Sequence, residues 1–289
     1  MISEELLKNV KKLEINTRRI VQSTFSGNFQ SAFKGQGINF SDMRTYQVGD
    51  DVRNINWKAS ARSQTPYVNL FEEERELTVI LMVDISGSGV FGSQHRTKLN
   101  FAAEIAAILG FSAVHNSDKV GLLLFSDHVE LFIPPKKGKN HMLRILRDIF
   151  SHKPTQKQTN LAEALRYVTQ MIKKKSVLFL VSDFLDHHYQ HQFRVVSKKH
   201  DLVPILIEDT CELSLPSVGT VAFQDQETDE IIYVNTSSQS VQKAYNNMKY
   251  ARQLEQDRIF KLSNSEFLRL DINQDYIPPL IEFFNKRLR

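Results

Sequence analysis

Four unbroken apolar runs dictate what this chain can fold into. They are 77–85 (LTVILMVDI), 120–125 (VGLLLF), 177–181 (VLFLV) and 202–207 (LVPILI). A strand with one wet face alternates polar and apolar residues. A run that is apolar throughout is covered on both faces, the signature of parallel strands. Between the runs, the segments 98–115, 140–151, 161–174 and 189–199 read as helices. Strands alternating with helices in this way predict a doubly wound, mainly parallel α/β sheet of Rossmann-like type. A short edge strand is expected at 129–133. Segments 221–223 and 231–234 flank the polar stretch QDQETDE and read as a hairpin. A long polar helix over 237–263, a strand at 267–272 and a Pro-started helix at 278–288 complete the chain.

The first 75 residues follow a different pattern. Residues 2–22 place Leu6, Leu7, Val10, Leu13 and Ile20 at helical spacing. Residues 23–70 are rich in Gly, Ser, Asn and Asp, with turn signals such as Val48-Gly49-Asp50-Asp51, and read as strands and loops. The expected organisation is an N-terminal helix and extension over 1–75, an α/β domain over 76–235, and a helix-strand-helix over 236–289 packing on the same sheet.

Composition narrows the function classes. With 41% apolar and 24% charged residues, the chain has enough apolar material for a core and is not a disordered polymer. Its net charge of +4 over 289 residues is too weak and too interspersed to suggest nucleic-acid binding. The single cysteine, Cys211, precludes an intrachain disulfide and a thiolate zinc cage. No apolar run approaches the roughly 20 residues of a membrane helix, and the charged N-terminus lacks a signal peptide's apolar centre. A reducing cytoplasm fits best.

In open parallel sheets, ligands sit beyond the carboxyl ends of the strands. Three polar signals fall at or beside such ends: Asp84-Ile85-Ser86-Gly87-Ser88, Gln158-Thr159-Asn160 and Ser182-Asp183. Carboxylate and hydroxyl oxygens are hard donors that suit octahedral Mg²⁺ or Mn²⁺. The alternative is that Asp84, Ser86 and Asp183 merely cap helices, with Asn160 and Glu163 forming a capping box. Asp186-His187-His188-Tyr189-Gln190-His191 reads as a solvated helix start, because no H-E-x-x-H occurs and imidazole favours other metals. There is no P-loop or dinucleotide fingerprint.

The D-x-S-x-S motif with a later Thr and a later strand-end Asp resembles a von Willebrand factor type A domain carrying a metal-ion-dependent adhesion site. The resemblance implies that Asp84, Ser86, Ser88, Thr159 and Asp183 hold Mg²⁺ or Mn²⁺, directly or through water. The run 37–62 (GINFSDMRTYQVGDDVRNINWKASAR), followed by EEERE at 72–76, is similar to the signature of the bacterial domain of unknown function 58 family. PSVGTVAFQDQETDEIIYV and LIEFFNKRL extend the similarity over nearly the whole chain. Many members carry N-terminal membrane helices that this sequence does not show. Gly89 stands where members usually place Met after the motif, which alters the rim and removes no ligand.

The resemblance implies a metal-dependent protein-binding adaptor without catalytic residues. A partner's acidic side chain would complete the metal's coordination. A MoxR-type AAA+ ATPase would work beside it in assembling or activating a client complex, with membrane contact only through partners. The alternative is a Mg-dependent, phosphoesterase-like hydrolase, but Ser86 stands where the second acid of a D-x-D pattern belongs. Within the signature run, Arg44, Asp50, Arg53, Trp57 and Arg62 are candidate partner contacts. The same segment, with Asp42 and Asp51, could instead form a buried ion-pair network anchored by Trp57.

Overall fold

The computed structural model describes residues 17, 20–21, 38–63, 65–73, 76–90, 96–212, 215–224 and 231–287. The expected helix over 2–22 lies outside them apart from Thr17, Ile20 and Val21, as do Gly37, Glu74 and Arg75. The described residues form two compact units, one within Phe33–Leu77 and one running from Thr78 onward.

In the smaller unit, β1 (Ile38–Thr45) pairs antiparallel with β2 (Tyr67–Glu73), Thr45 opposite Tyr67. Between them lies α1 (Trp57–Ser63), a helix in a stretch expected to hold only strands and loops. Its cause is local. The Asn56 side chain accepts from the Ala59 amide at 3.1 Å, capping the first turn. Ser60 Oγ donates to the Asn56 carbonyl and accepts from the Tyr67 amide at 2.8 Å, tying the helix to β2.

The larger unit is built on a six-stranded sheet. Its strands are β3 (Thr78–Asp84), β4 (Lys119–Phe125), β5 (Val129–Lys136), β6 (Val177–Ser182), β7 (Asp201–Glu208) and β10 (Leu268–Asp271). Their order is β10-β7-β6-β3-β4-β5, all parallel except β5, which runs antiparallel beside β4 at the edge. The helices are α2 (Lys98–His115), α3 (Lys139–Ser151), α4 (Leu161–Met171), α5 (Gln190–Lys199), α6 (Gln239–Leu262) and α7 (Ile277–Arg287). This is the expected doubly wound α/β architecture. The helix expected to reach 174 stops at Met171, with Ile172 extended at its C-cap. β8 (Thr220–Gln224) and β9 (Ile231–Asn235) pair antiparallel as a separate two-stranded sheet.

Side-chain alternation feeds both faces of the sheet. Ile80 and Met82 join Leu178, Leu180, Leu161, Leu165, Phe193 and Phe260 in one buried cluster. Leu81 reaches the opposite side, close to Gly110 of α2. β6 is buried at every residue and β3 at all but its first, which explains why their sequences show no alternation. β3, first in sequence within this sheet, has β4 on one side and β6 on the other. The strand order therefore reverses at β3, which opens a crevice at the carboxyl ends of β3 and β6. Asp84 ends one strand and Ser182 the other.

Candidate metal centre

Asp84 is the last residue of β3 and only 8% exposed. The chain turns immediately after it. Ile85 N donates to the Phe125 carbonyl at 2.9 Å, and a 3₁₀ turn over Gly87–Val90 follows. Asp84 Oδ1 accepts from the Ser86 amide at 3.0 Å, and Oδ2 accepts from Ser182 Oγ at 2.7 Å. Ser86 Oγ and Ser88 Oγ lie 3.1 Å apart, so both motif hydroxyls converge. Ser182 Oγ also accepts from the Phe184 amide at 3.0 Å, which fixes the turn carrying Asp183. Phe184 takes a positive φ of 52°, an uncommon backbone for a bulky residue, directly after that acid.

The segment carrying Thr159 is tied to the same loop. Gly87 N donates to the Lys157 carbonyl at 2.7 Å, and Asn160 N donates to the Ser126 carbonyl at 2.8 Å. Asn160 also caps α4, its Oδ1 accepting from the Glu163 amide at 2.9 Å. The Glu163 carboxylate pairs with Arg166, so the cap is one-sided. Asp186 supports the same terminus, accepting from the Leu161 amide at 2.7 Å.

A residue not singled out in the sequence dominates the electrostatics. Lys98, the first residue of α2, is 4% exposed, and its ammonium lies 3.1 Å from Asp183 Oδ2 and 2.7 Å from Glu212 Oε1. Burial opposes its charge, but Asp183 and Glu212 outweigh burial and hold the ammonium protonated. A cation at a helix N-terminus works against the macrodipole. Lysine opening a mostly apolar, mostly buried helix was the available signal that anions lie nearby. Asp84 shows the opposite strain: burial first, then the charge of Asp183, push its carboxyl well above the usual range.

This donor set fits a hard divalent cation. Asp84 and Asp183 bring two carboxylates and Ser86 and Ser88 two hydroxyls, while the Lys98 ammonium, shared with Glu212, stands at hydrogen-bonding distance from Asp183. Asp84, Ser88, Gly89, Lys98 and Asp183 line a cleft of about 20 Å³, room for one small occupant. Among the described residues no group of three or more His, Cys, Asp or Glu side chains is placed to hold a metal, so a site here must use hydroxyls beside its two acids. His187, His188 and His191 are exposed. Asp183 also lines a second cavity of about 190 Å³, walled by Glu212, Tyr245, Lys249, Arg252 and Gln256.

Among the described residues of the smaller unit, the signature side chains form no buried network. Arg44 and Asp50 pair through two hydrogen bonds of 2.9 and 2.7 Å and are half-buried. Arg53 pairs with Asp51 in the open, Asp42 and Arg62 are exposed, and Trp57 is 68% exposed. Trp57 is therefore not an anchor; it sits on the surface of a seven-residue helix.

The family model for "protein of unknown function DUF58" matches residues 42–255. The chain belongs to the DUF58 family. Two uncharacterized relatives, from Mycobacterium bovis and Mycobacterium tuberculosis, are each 24% identical to this DUF58 chain over 288 residues, covering 99% of it and 90% of theirs. Two solved structures are also similar. BatB from Bacteroides thetaiotaomicron has a TM-score of 0.47 at 13% identity, covering 73% of this chain and 98% of its own. An aerotolerance-related membrane protein from Bacteroides fragilis has a TM-score of 0.49 at 14% identity, with the same coverage. Among the described residues, no helix of this DUF58 protein is long and apolar enough to cross a membrane.

Proposed function

We propose that this DUF58 protein is a metal-dependent protein-binding adaptor, built like a von Willebrand type A domain with its adhesion site. Asp84, Ser86, Ser88, Thr159 and Asp183 would hold Mg²⁺ or Mn²⁺. The observation that carries the reading is convergence. The motif loop, the Lys157–Asn160 segment and the end of β6 are joined by Gly87 N to Lys157 O and by Ser182 Oγ to Asp84. Helix capping alone does not require that meeting.

A bound divalent ion would supply an open coordination position for a partner's carboxylate. The protein's own residues set up that encounter. Ser182 and the Ser86 amide fix both oxygens of Asp84. Lys98 orients Asp183 by donating to its Oδ2. The second cavity that Asp183 lines has room for side chains flanking the partner's acid. The chain itself catalyses nothing on this reading.

The partner is proposed to be a MoxR-type AAA+ ATPase acting with this chain on a client complex. The exposed Trp57, Arg53 and Arg62 support a partner-facing role for the signature segment, with Arg44 and Asp50 fixing its turn. The test uses the purified full chain and such an ATPase, in Mg²⁺ or in EDTA, with wild type and Asp84→Ala. The adaptor reading expects a complex with wild type in Mg²⁺ alone. Equal binding in all four arms would overturn it. Phosphoester turnover lost in Asp84→Ala would favour the hydrolase.

A further inference from the structure

We propose that Glu130 is a positioning residue that holds the 152–160 segment, and with it Thr159, at the metal centre. This role rests on the metal-dependent reading above. Glu130 sits on β5, the edge strand, yet its side chain is only 3% exposed. An edge-strand carboxylate would ordinarily face water. Here Oε1 accepts from Ser126 Oγ at 2.8 Å, from the Thr155 amide at 2.8 Å and from Thr155 Oγ1 at 2.9 Å. Oε2 faces His152 Nε2 at 3.4 Å and His128 Nε2 at 3.6 Å.

The segment from His152 to Asn160 has no helix or strand of its own, so side-chain ties must fix it. Glu130 grips it in the middle through Thr155. It also grips Ser126, whose carbonyl accepts from Asn160 N at the segment's far end. Between those two ties lie Lys157, whose carbonyl accepts from Gly87 of the D-x-S-x-S loop, and Thr159 itself. One buried carboxylate thus sets the path by which the Thr159 loop meets the motif loop. Burial pushes Glu130 upward, but hydrogen bonds from Ser126, Thr155 and His152 outweigh it and hold it at about 2, so the clamp stays ionised at neutral pH. Groups that orient metal ligands without touching the ion typically change affinity by about 10–100-fold when removed.

The experiment compares wild type, Glu130→Ala, Glu130→Gln and Thr155→Val by two measurements. The first is amide hydrogen exchange in the metal-free full chain. The second is Mg²⁺ titration followed by calorimetry. In Glu130→Ala, exchange at Thr155, Asn160 and Gly87 is expected to rise at least about tenfold, while amides of β3 and β6 stay protected. Mg²⁺ affinity is expected to fall by about 10–100-fold. Glu130→Gln, which keeps an acceptor oxygen, recovers most of both losses. Thr155→Val, the milder cut, gives the same direction with a smaller size and serves if Glu130→Ala does not fold. If exchange at Gly87 and Asn160 matches wild type in every variant, the positioning role is wrong. If exchange responds but wild type takes up no Mg²⁺, the clamp stands and the metal reading fails. If wild type binds Mg²⁺ and the variants bind equally well, the inference is overturned.

Discussion

Replacing Lys98 by Met removes the only cation among the described residues within hydrogen-bonding distance of Asp183 while nearly preserving volume. Lys98 and Asp183 are 4% and 6% exposed and 3.1 Å apart. At an effective dielectric constant of about 20 their attraction is worth about 5 kcal/mol before desolvation. The measurable loss is set by the orphaned carboxylate. Breaking a buried pair from one side typically costs about 3–5 kcal/mol. For a unit of this size, each kcal/mol moves the melting temperature by about 2–4 °C. In EDTA, Lys98→Met should therefore melt about 6–20 °C below wild type, followed by near-UV circular dichroism. Adding Asp183→Asn to the same chain should recover a large part of that loss, because it removes the unpaired charge. Mg²⁺ should also recover part of it in Lys98→Met, by supplying positive charge to the same acids. A single variant within about 1 kcal/mol of wild type in EDTA, or a double variant no better than the single, would refute the electrostatic account.

Two further outcomes follow from burial. His200 is 2% exposed, and neither ring nitrogen has a hydrogen-bond partner among the described residues. Burial and then Lys199 push its pKa down to about 4. A lowered histidine pKa gives stability that is complete above the unfolded value of about 6.5 and is lost as pH falls from there to about 4, worth up to about 3 kcal/mol. Urea unfolding from pH 7 to pH 4 should show this slope in wild type and its loss in His200→Leu; an unchanged slope would exclude His200 as its source. Gly121→Ala would place a Cβ 3.0 Å from the Ile133 carbonyl and 3.1 Å from Pro135 N, both backbone atoms that cannot step aside cheaply. It should destabilise by about 1–3 kcal/mol through the β4–β5 pairing, read as a lower urea midpoint.

The strands were legible because complete burial erases alternation: β3, β4, β6 and β7 stand in the sequence as solid apolar runs. Helix α2 was legible for a related reason, being apolar on most of its surface. α1 was missed. Seven residues are too few to show a period, and its cause is the Asn56 cap rather than an apolar stripe. Asp84, Ser86, Ser88 and Asp183 could be read as near neighbours because strand ends in a parallel sheet share one edge, whereas for Thr159 it is the backbone of its neighbours that is tied there. The supporting groups could not be read this way. Lys98 meets Asp183 across 85 residues of chain, and Glu130 meets Thr155 across 25, and neither pairing leaves a local pattern. The signature segment was legible as a motif but not as a surface. Only the structure shows Trp57 exposed, where an aromatic among arginines had allowed either burial or display.

The central claim is that Asp84, Ser86, Ser88, Thr159 and Asp183 together hold one divalent ion. The most direct measurement is Mn²⁺ titration of the full chain, followed by the loss of free-ion paramagnetic resonance signal, with Mg²⁺ as competitor. The account predicts one saturable site in wild type that Mg²⁺ displaces. It also predicts that the site is abolished in Asp84→Ala and weakened in Ser86→Ala. No saturable binding by wild type, or the same site surviving in Asp84→Ala, would contradict it.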